Sequence, residues 1–423
     1  MPNNGIRSSG ARRSLSVPGG IVPAMGLAEF SEPTTAWFTT TFGQPTEAQA
    51  RAWPEIAAGR NVLLCAPTGS GKTLAAFLAA IDRLGSSPVS QKGSGKSIER
   101  TTVLYLSPIR ALAVDVEKNL RAPIRGINLA AQRLGVEFRE PTVGVRTGDT
   151  PASLRRALVN HPPDILITTP ESLFLMLTSA ARESLRSVDT VIIDEIHAVA
   201  ATKRGSHLAL SLERLHDLAD AAPQRIGLSA TQRPLSEIAH FLGGNEVDSD
   251  GELRGQRAVT IIDEGGRKPL ELEVVVPVDD MGGVGESDLT PRSIWPSVNT
   301  AVLDLIEAHR STIVFVNARR LAERLATRLN ELEEERDRTG DVALAAERGG
   351  ENFGVSPSAS GHELVRAHHG SLSREQRLVV EDELKAGTLR GLVATSSLEL
   401  GIDMGAVDLV VQVASPGSVA SGL

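Results

Sequence analysis

Short apolar runs recur along the first half of the chain. They fall at 61–65 (NVLLC), 103–106 (VLYL), 165–168 (ILIT), 191–194 (VIID) and 226–229 (IGLS). Each is apolar at nearly every position, as expected of strands buried on both faces of a parallel sheet. Between them, large apolar residues return at helical spacing, as with Leu74, Phe77, Leu78, Ile81 and Leu84. This alternation predicts an α/β fold: a doubly wound parallel sheet with helices on both faces.

The rhythm lapses from about 245 to 300, where Gly, Asp and Glu dominate. Within that stretch LELEVVVPV (270–278) reads as an edge strand or as the chain's crossing between domains. A second series follows with TIVFV (312–316), RAHHG (366–370), GLVAT (391–395) and LVVQV (409–413). Residues 333–363 are poor in large apolar residues and read as an inserted loop. The expected organisation is a leader (1–26), a first domain (27–245), a linker and crossing segment (246–298) and a second domain (299–423).

A chain of 423 residues is too long for one ordinary core, in agreement with two series. No apolar stretch approaches the roughly 18–20 residues of a membrane helix, so no membrane partner is expected. The first twenty residues carry three Arg and no acid, but no apolar core follows. They read as a disordered leader and not a secretory signal; Met25 is an alternative start. The single cysteine, Cys65, excludes an internal disulfide framework and points to a reducing, cytoplasmic compartment. Cys65 itself reads as a packing residue. The net charge of −8 argues against gripping nucleic acid by bulk electrostatics, although a local basic groove is compatible with it. Only 7 of the 44 basic residues are Lys, and aromatics make up 3%, so extensive base stacking is not advertised.

APTGSGKT (66–73) follows a strand and opens an amphipathic helix, the context that a phosphate-binding loop requires. The backbone of Thr68, Gly69, Ser70 and Gly71 would converge on phosphate oxygens, helped by the positive end of the helix. Lys72 would reach the β/γ-phosphates and Thr73 would hold Mg²⁺. Ala66 replaces the first glycine of the strict pattern. VIIDEIH (191–197) places Asp194 and Glu195 at the C-terminal end of a buried strand, where open sheets present ligand-facing groups. Asp194 would hold Mg²⁺, and Glu195 would polarise a water in line with the γ-phosphate. Taken alone, this pair also fits a helix start that favours acids. Together the two motifs imply ATP and Mg²⁺ as cofactors, but not what hydrolysis is used for.

PTEAQ (45–49), TTPESL (168–173) and SAT (229–231), with DEIH, resemble the motif series of superfamily 2 DEAD/DEAH-type helicases. Longer segments are similar to the large helicase-related (Lhr) family. Examples are SPIRALAVDVEKNL (107–120), VRTGDTP (145–151), DEIHAVAATKRGSHLALSLERL (194–215), AHHGSLSREQR (367–377) and ATSSLELGIDMGAVDLVVQV (394–413). The resemblance runs from about residue 27 to the last residue, with gaps at 85–100 and 333–363.

The resemblance implies two tandem RecA-like domains with ATP in the cleft and one nucleic-acid strand across both. Gln49 would read adenine. Ser107, Arg110, Thr169, Pro170, Glu171 and Ser172 would line the strand groove. His197, Ser229 and Thr231 would couple the ATP site to that groove. Thr395 would touch nucleic acid, and Gly401 and Asp403 nucleotide, from the second domain. Plainer roles exist as well: solvated helix positions for Gln49 and Arg110, and caps for Ser229 and Thr231. His368 and His369 would point to opposite faces of a strand, which disfavours a shared metal. The run 330–338 (NELEEERDR) reads as a solvated helix end.

The implied activity is ATP-driven, 3′-to-5′ movement of a monomer on single-stranded DNA, unwinding DNA or RNA–DNA duplexes in repair. In this family a glutamine–arginine motif would follow SVASGL (418–423). The second domain is therefore expected to be truncated at its C-terminal end, and the chain to be a fragment. Loss of a cis arginine can cost roughly 10³–10⁵ in rate. The alternative is thus a truncated module that binds ATP and nucleic acid but barely hydrolyses. A small-molecule kinase with the same loop would leave TTPES, SAT and the second series unexplained.

Overall fold

The computed structural model describes residues 26–67, 69–86, 100–108, 110–230, 234–248, 250–265, 271–277, 294–347, 363–395, 407–413 and 415. Residues 1–25 of the expected leader lie outside them.

The first unit contains strands β1 (Val62–Cys65), β2 (Val103–Leu106), β3 (Val143–Arg146), β4 (Ile165–Thr168), β5 (Thr190–Ile193), β6 (Gln224–Ser229), β7 (Asn245–Val247), β8 (Leu253–Gln256) and β9 (Thr260–Asp263). Its helices are α1 (Glu32–Phe42), α2 (Glu47–Ala57), α3 (Lys72–Ser86), α4 (Arg110–Leu134), α5 (Ala152–Asn160), α6 (Pro170–Leu177), α7 (His197–Ala200), α8 (Lys203–Leu218) and α9 (Leu235–Gly243). Seven strands form one sheet in the order β3-β4-β2-β5-β6-β1-β9. Every neighbouring pair in it is parallel.

Side-chain alternation divides each strand between two cores. Val62, Leu64, Val103, Tyr105 and Ile192 face one layer with Trp53, Phe77 and Ile81. Leu63, Cys65, Leu104, Leu106 and Ile193 face the other with Leu173, Leu208 and Leu242. Cys65 is fully buried in this second core, as its packing role required.

Register then sets the site. Cys65 stands opposite Ser229, Gly227 opposite Ile193, Ile193 opposite Leu106, and Leu106 opposite Thr168. The loops after β1, β2, β4, β5 and β6 therefore open on one edge of the sheet. That edge is where open α/β sheets bind ligands.

The second unit has α10 (Trp295–Ala308), β10 (Thr312–Phe315), α11 (Arg319–Glu347), β11 (Val365–His368), α12 (Arg374–Ala386), β12 (Gly391–Ala394) and β13 (Leu409–Gln412). Its four strands run in the order β11-β12-β10-β13, all parallel. One core joins Leu303, Ile306, Leu325 and Leu329 to Val314 and Val393. The other joins Val380 and Leu384 to Ile313 and Leu392. α12 starts at a capping box between Ser373 and Gln376 and stops at Gly387, whose φ is +71°.

Three expectations need correction. The first sheet does not end near 245, because β9 lies beside β1 and belongs to it. Residues 271–277 form no strand, and Leu272, Val274, Val275 and Val276 are exposed. Residues 333–347 are the continuation of α11 and not a loop. Its exposed charges pair along and beside the helix, as in Arg328–Glu331, Arg338–Glu334 and Arg336–Asp304, so few apolar residues are needed. Residues 348–362 of the expected insert lie outside the described residues.

Candidate nucleotide site and nucleic-acid interface

The loop after β1 is shaped by two glycines. Gly69 and Gly71 have φ of +81° and +80°, a region that strains any side chain. A Cβ on Gly71 would also lie 2.4 Å from Gln49 Nε2. Gln49 is buried and has three tasks here. Its Oε1 accepts Thr46 N–H at 3.0 Å, its backbone N–H donates to Thr46 Oγ1, and its Nε2 donates to Gly71 O at 3.3 Å. Thr46 Oγ1 in turn donates to Ser70 O at 2.9 Å. The capping box of α2 thus braces the loop. Ser70 Oγ is buried with no hydrogen-bond partner among the described residues, leaving a donor at the place where phosphate is expected. Thr68 lies outside the described residues.

Lys72 opens α3, and Thr73 follows it. The Lys72 ammonium donates to Ala66 O at 3.4 Å and lies 3.4 Å from Glu195 Oε1. Both side chains are more than nine-tenths buried. β1 and β5 are separated by β6 alone, which puts the two motifs about 10 Å apart at the backbone, within reach of these long side chains.

Asp194 and Glu195 follow β5 and are 3% and 6% exposed. Glu195 has φ of +42°, and no other non-glycine among the described residues is positive. Such strain persists where surrounding structure enforces it. Asp194 Oδ1 accepts Glu195 N–H at 3.0 Å, and Oδ2 accepts the Tyr105 phenol. Burial, and then the Glu195 charge, push the Asp194 carboxyl up to about 6. Burial and the Asp194 charge also hold the Tyr105 phenol well above its ordinary range.

These donors fit Mg²⁺. They are hard oxygens, and two buried carboxylates face one buried ammonium, a negative excess that a cation would relieve.

His197 begins α7 and lies between the acids and β6. Its Nδ1 is 3.1 Å from Ser229 Oγ, 3.4 Å from Glu195 Oε2, and accepts Ala230 N–H at 3.4 Å. Burial, and then the Lys72 charge, push this imidazole down to about 4. It is therefore neutral near pH 7, with Nδ1 accepting and the proton on Nε2. Ser229 is not a cap here but a direct neighbour of the acidic turn. Thr231 lies outside the described residues.

The expected groove residues occupy the loops after β2 and β4. Ser107 is fully buried and donates its N–H to Thr168 O at 2.9 Å. Thr169 caps α6: its Oγ1 accepts Ser172 N–H and donates to Ser172 Oγ at 3.1 Å. Pro170 takes the first helical position. Thr169 and Ser172 are buried, so their side chains build the loop from within. Glu171 is exposed and pairs with Arg204 at 2.7 Å. Arg204 also donates to Pro108 O at 3.0 Å, joining the two loops; sequence reasoning did not single it out. Arg110 opens α4, and its side chain lies outside the described part.

In the second unit Thr395 follows β12 and donates its N–H to His368 O at 3.2 Å. His368 Nε2 lies 3.2 Å from Glu381 and His369 Nε2 2.9 Å from Glu323, so the two rings face separate carboxylates. Gly401 and Asp403 lie outside the described residues.

Comparison with known proteins decides the family. The DEAD/DEAH box helicase family matches residues 46–238, and the helicase conserved C-terminal domain matches residues 357–422. An Lhr helicase of Mycolicibacterium smegmatis is 57% identical over 406 residues, covering 94% of this chain and 25% of that protein. The Escherichia coli Lhr helicase/uracil glycosylase is 50% identical over 407 residues, covering 93% of this chain and 26% of that protein. This chain belongs to the Lhr helicases. It spans about a quarter of the length of those two relatives. A solved structure of Mycobacterium smegmatis helicase Lhr bound to ssDNA and AMP-PNP is 56% identical. It superimposes with a TM-score of 0.73 over 94% of this Lhr-family chain and 46% of its own. The two parallel sheets are therefore the tandem RecA-like fold that the resemblance implied. No helix among the described residues is long and apolar enough to cross a membrane.

Proposed function

We propose that this chain is the ATP-driven motor of a nucleic-acid helicase. It binds ATP at the 66–73 loop, hydrolyses it while gripping one strand, and separates DNA or RNA–DNA duplexes as it moves. The observation that carries this is the buried Lys72–Glu195 pair. It brings the phosphate-binding cation and the water-polarising base to one point of the sheet edge.

Nucleotide phosphates draw the Lys72 ammonium away from Glu195, freeing that carboxylate to polarise water. Thr73 and Asp194 would hold Mg²⁺, which supplies neutralisation of the phosphate oxygens. Gln49 would read adenine, and its amide contact with the Gly71 carbonyl ties it to the phosphate loop. His197, Ser229 and Thr231 pass the state of Glu195 to β6, which lies between the two motif strands. Ser107, Arg110, Thr169, Pro170, Glu171 and Ser172 shape the strand-binding loops largely through backbone groups, suited to sequence-independent grip. Thr395, Gly401 and Asp403 act from the second unit. Further support comes from the 56%-identical helicase, which is bound to ssDNA and AMP-PNP.

We assign the phosphate loop, the acidic turn and one set of strand contacts to the unit that ends with β9, and the facing strand and nucleotide contacts to the unit that begins with α10. A monomer working in the cytoplasm accords with the lone, buried cysteine. Fluorescence polarisation with labelled single-stranded DNA tests the coupling. Affinity should tighten when AMP-PNP and Mg²⁺ are added, and Lys72→Ala should remove the response. An affinity indifferent to nucleotide in the unaltered chain would defeat the proposal.

A further inference from the structure

Tyr105 is the sole tyrosine of the chain. It lies on β2 opposite Ile192 of β5, and Asp194, two residues on, shares that face. Its ring is fully buried and stacks on Phe77 of α3, with centroids 4.9 Å apart and planes 26° from parallel. Phe77 is one turn beyond Thr73 on the helix that the loop lysine opens. The phenol donates to Asp194 Oδ2, and the Glu195 N–H donates to Oδ1. With a donor on each oxygen the carboxylate cannot rotate freely, yet each oxygen keeps a lone pair.

We propose that Tyr105 is a positioning residue for the divalent cation, fixing the Asp194 carboxylate in the orientation that receives the metal and tying it to the helix that carries Lys72 and Thr73. The inference rests on Asp194 being the cation ligand. A phenylalanine would serve the packing equally well; only the phenol oxygen serves the carboxylate. Phe77 and Tyr105 together then link the phosphate loop to the acidic turn by a route separate from the Lys72–Glu195 pair.

One tyrosine gives one ¹⁹F resonance when the protein is produced with 3-fluorotyrosine. In the AMP-PNP complex that resonance should shift when Mg²⁺ replaces EDTA. In parallel, Mn²⁺ affinity of the AMP-PNP complex is measured by electron paramagnetic resonance. Tyr105→Phe should weaken it about tenfold, the loss of one hydrogen bond to a charged group. AMP-PNP affinity in EDTA should stay unchanged. A ¹⁹F resonance blind to Mg²⁺, or unaltered Mn²⁺ affinity in Tyr105→Phe, overturns the proposal. Equal loss of nucleotide affinity in EDTA would make Tyr105 a packing residue. Asp194→Asn separates the two levels: if it leaves Mn²⁺ affinity intact, the ligand assignment fails and not the role of Tyr105 alone.

Discussion

Lys72 and Glu195 meet 3.4 Å apart, one from the loop after β1 and the other from the strained turn after β5. Neither has an appreciable water-exposed surface. Lys72→Ala therefore does more than remove the proposed phosphate ligand: it strands a buried carboxylate. The variant should lose nucleotide binding and be destabilised by roughly 1–3 kcal/mol, the usual cost of an unpartnered buried polar group. Lys72→Ala combined with Glu195→Gln should recover much of that stability and none of the binding. Denaturant titration of the single and double variants measures the coupling, and simple additivity would contradict a native ion pair.

Acid should weaken cation binding before it weakens the fold. The Asp194 carboxyl is raised to about 6, so its proton must leave before the metal can bind. At limiting Mg²⁺, Mg²⁺-dependent AMP-PNP binding should rise through about pH 6 with a one-proton slope. Excess Mg²⁺ should move that midpoint lower, because metal and proton compete. Calorimetric titration from pH 5 to 8 checks this; a flat profile would contradict it.

For stability the signs of two neighbours oppose. Asp194, raised, binds more protons folded than unfolded between its ordinary value and about 6, so its contribution is lost as pH rises through that window. His197, lowered to about 4, binds fewer protons folded, so its contribution is lost as pH falls through the same window. Asp194→Asn should expose the histidine's slope, and stability should then climb with pH between about 4 and 6.5. Melting temperatures across that range, with no climb in the variant, would reject the assignment.

Gly71 is constrained twice, by its φ of +80° and by the Gln49 amide. Gly71→Ala should cost about 1–2 kcal/mol in strain at the loop alone and should abolish AMP-PNP binding. Adding Gln49→Ala removes the steric clash but not the backbone strain, and it deletes the proposed adenine contact, so stability should return only in part and AMP-PNP binding should not. Full recovery of stability would mean that the left-handed conformation is dispensable.

Arg204 joins Glu171 to the Pro108 carbonyl across the loops after β2 and β4, the proposed strand-binding loops. Both members of the pair are about half exposed, so Arg204→Ala should change global stability by less than about 1 kcal/mol. Single-stranded DNA affinity should drop about fivefold, one hydrogen bond's worth, while AMP-PNP affinity is unchanged. A variant that binds DNA normally would limit Arg204 to surface packing.

Much of this was legible in the sequence. The five apolar runs of the first series are strands because a strand buried on both faces must be apolar throughout. The loop and the acidic turn were legible because their chemistry demands glycines, a lysine and acids in fixed order. β3 was not read as a strand: it carries Gly144, where a Cβ would meet Pro163 and Leu158 at 2.8 and 2.9 Å, so packing suppressed its apolar signature. β9 was missed because it lies at the sheet's edge, with Ile261 partly exposed and Ile262 its one buried residue. The C-terminal half of α11 was missed because charge pairing, not an apolar stripe, marks it. Tyr105 looked like any other apolar strand position. Its partner is distant in the chain by 89 residues, and no local pattern announces such a contact.

The most direct measurement is ATP hydrolysis by this chain with and without single-stranded DNA, beside Lys72→Ala and Glu195→Gln. DNA should stimulate turnover, and both variants should lose it. Hydrolysis indifferent to DNA, or surviving in Lys72→Ala, would contradict the proposed ATP-driven motor.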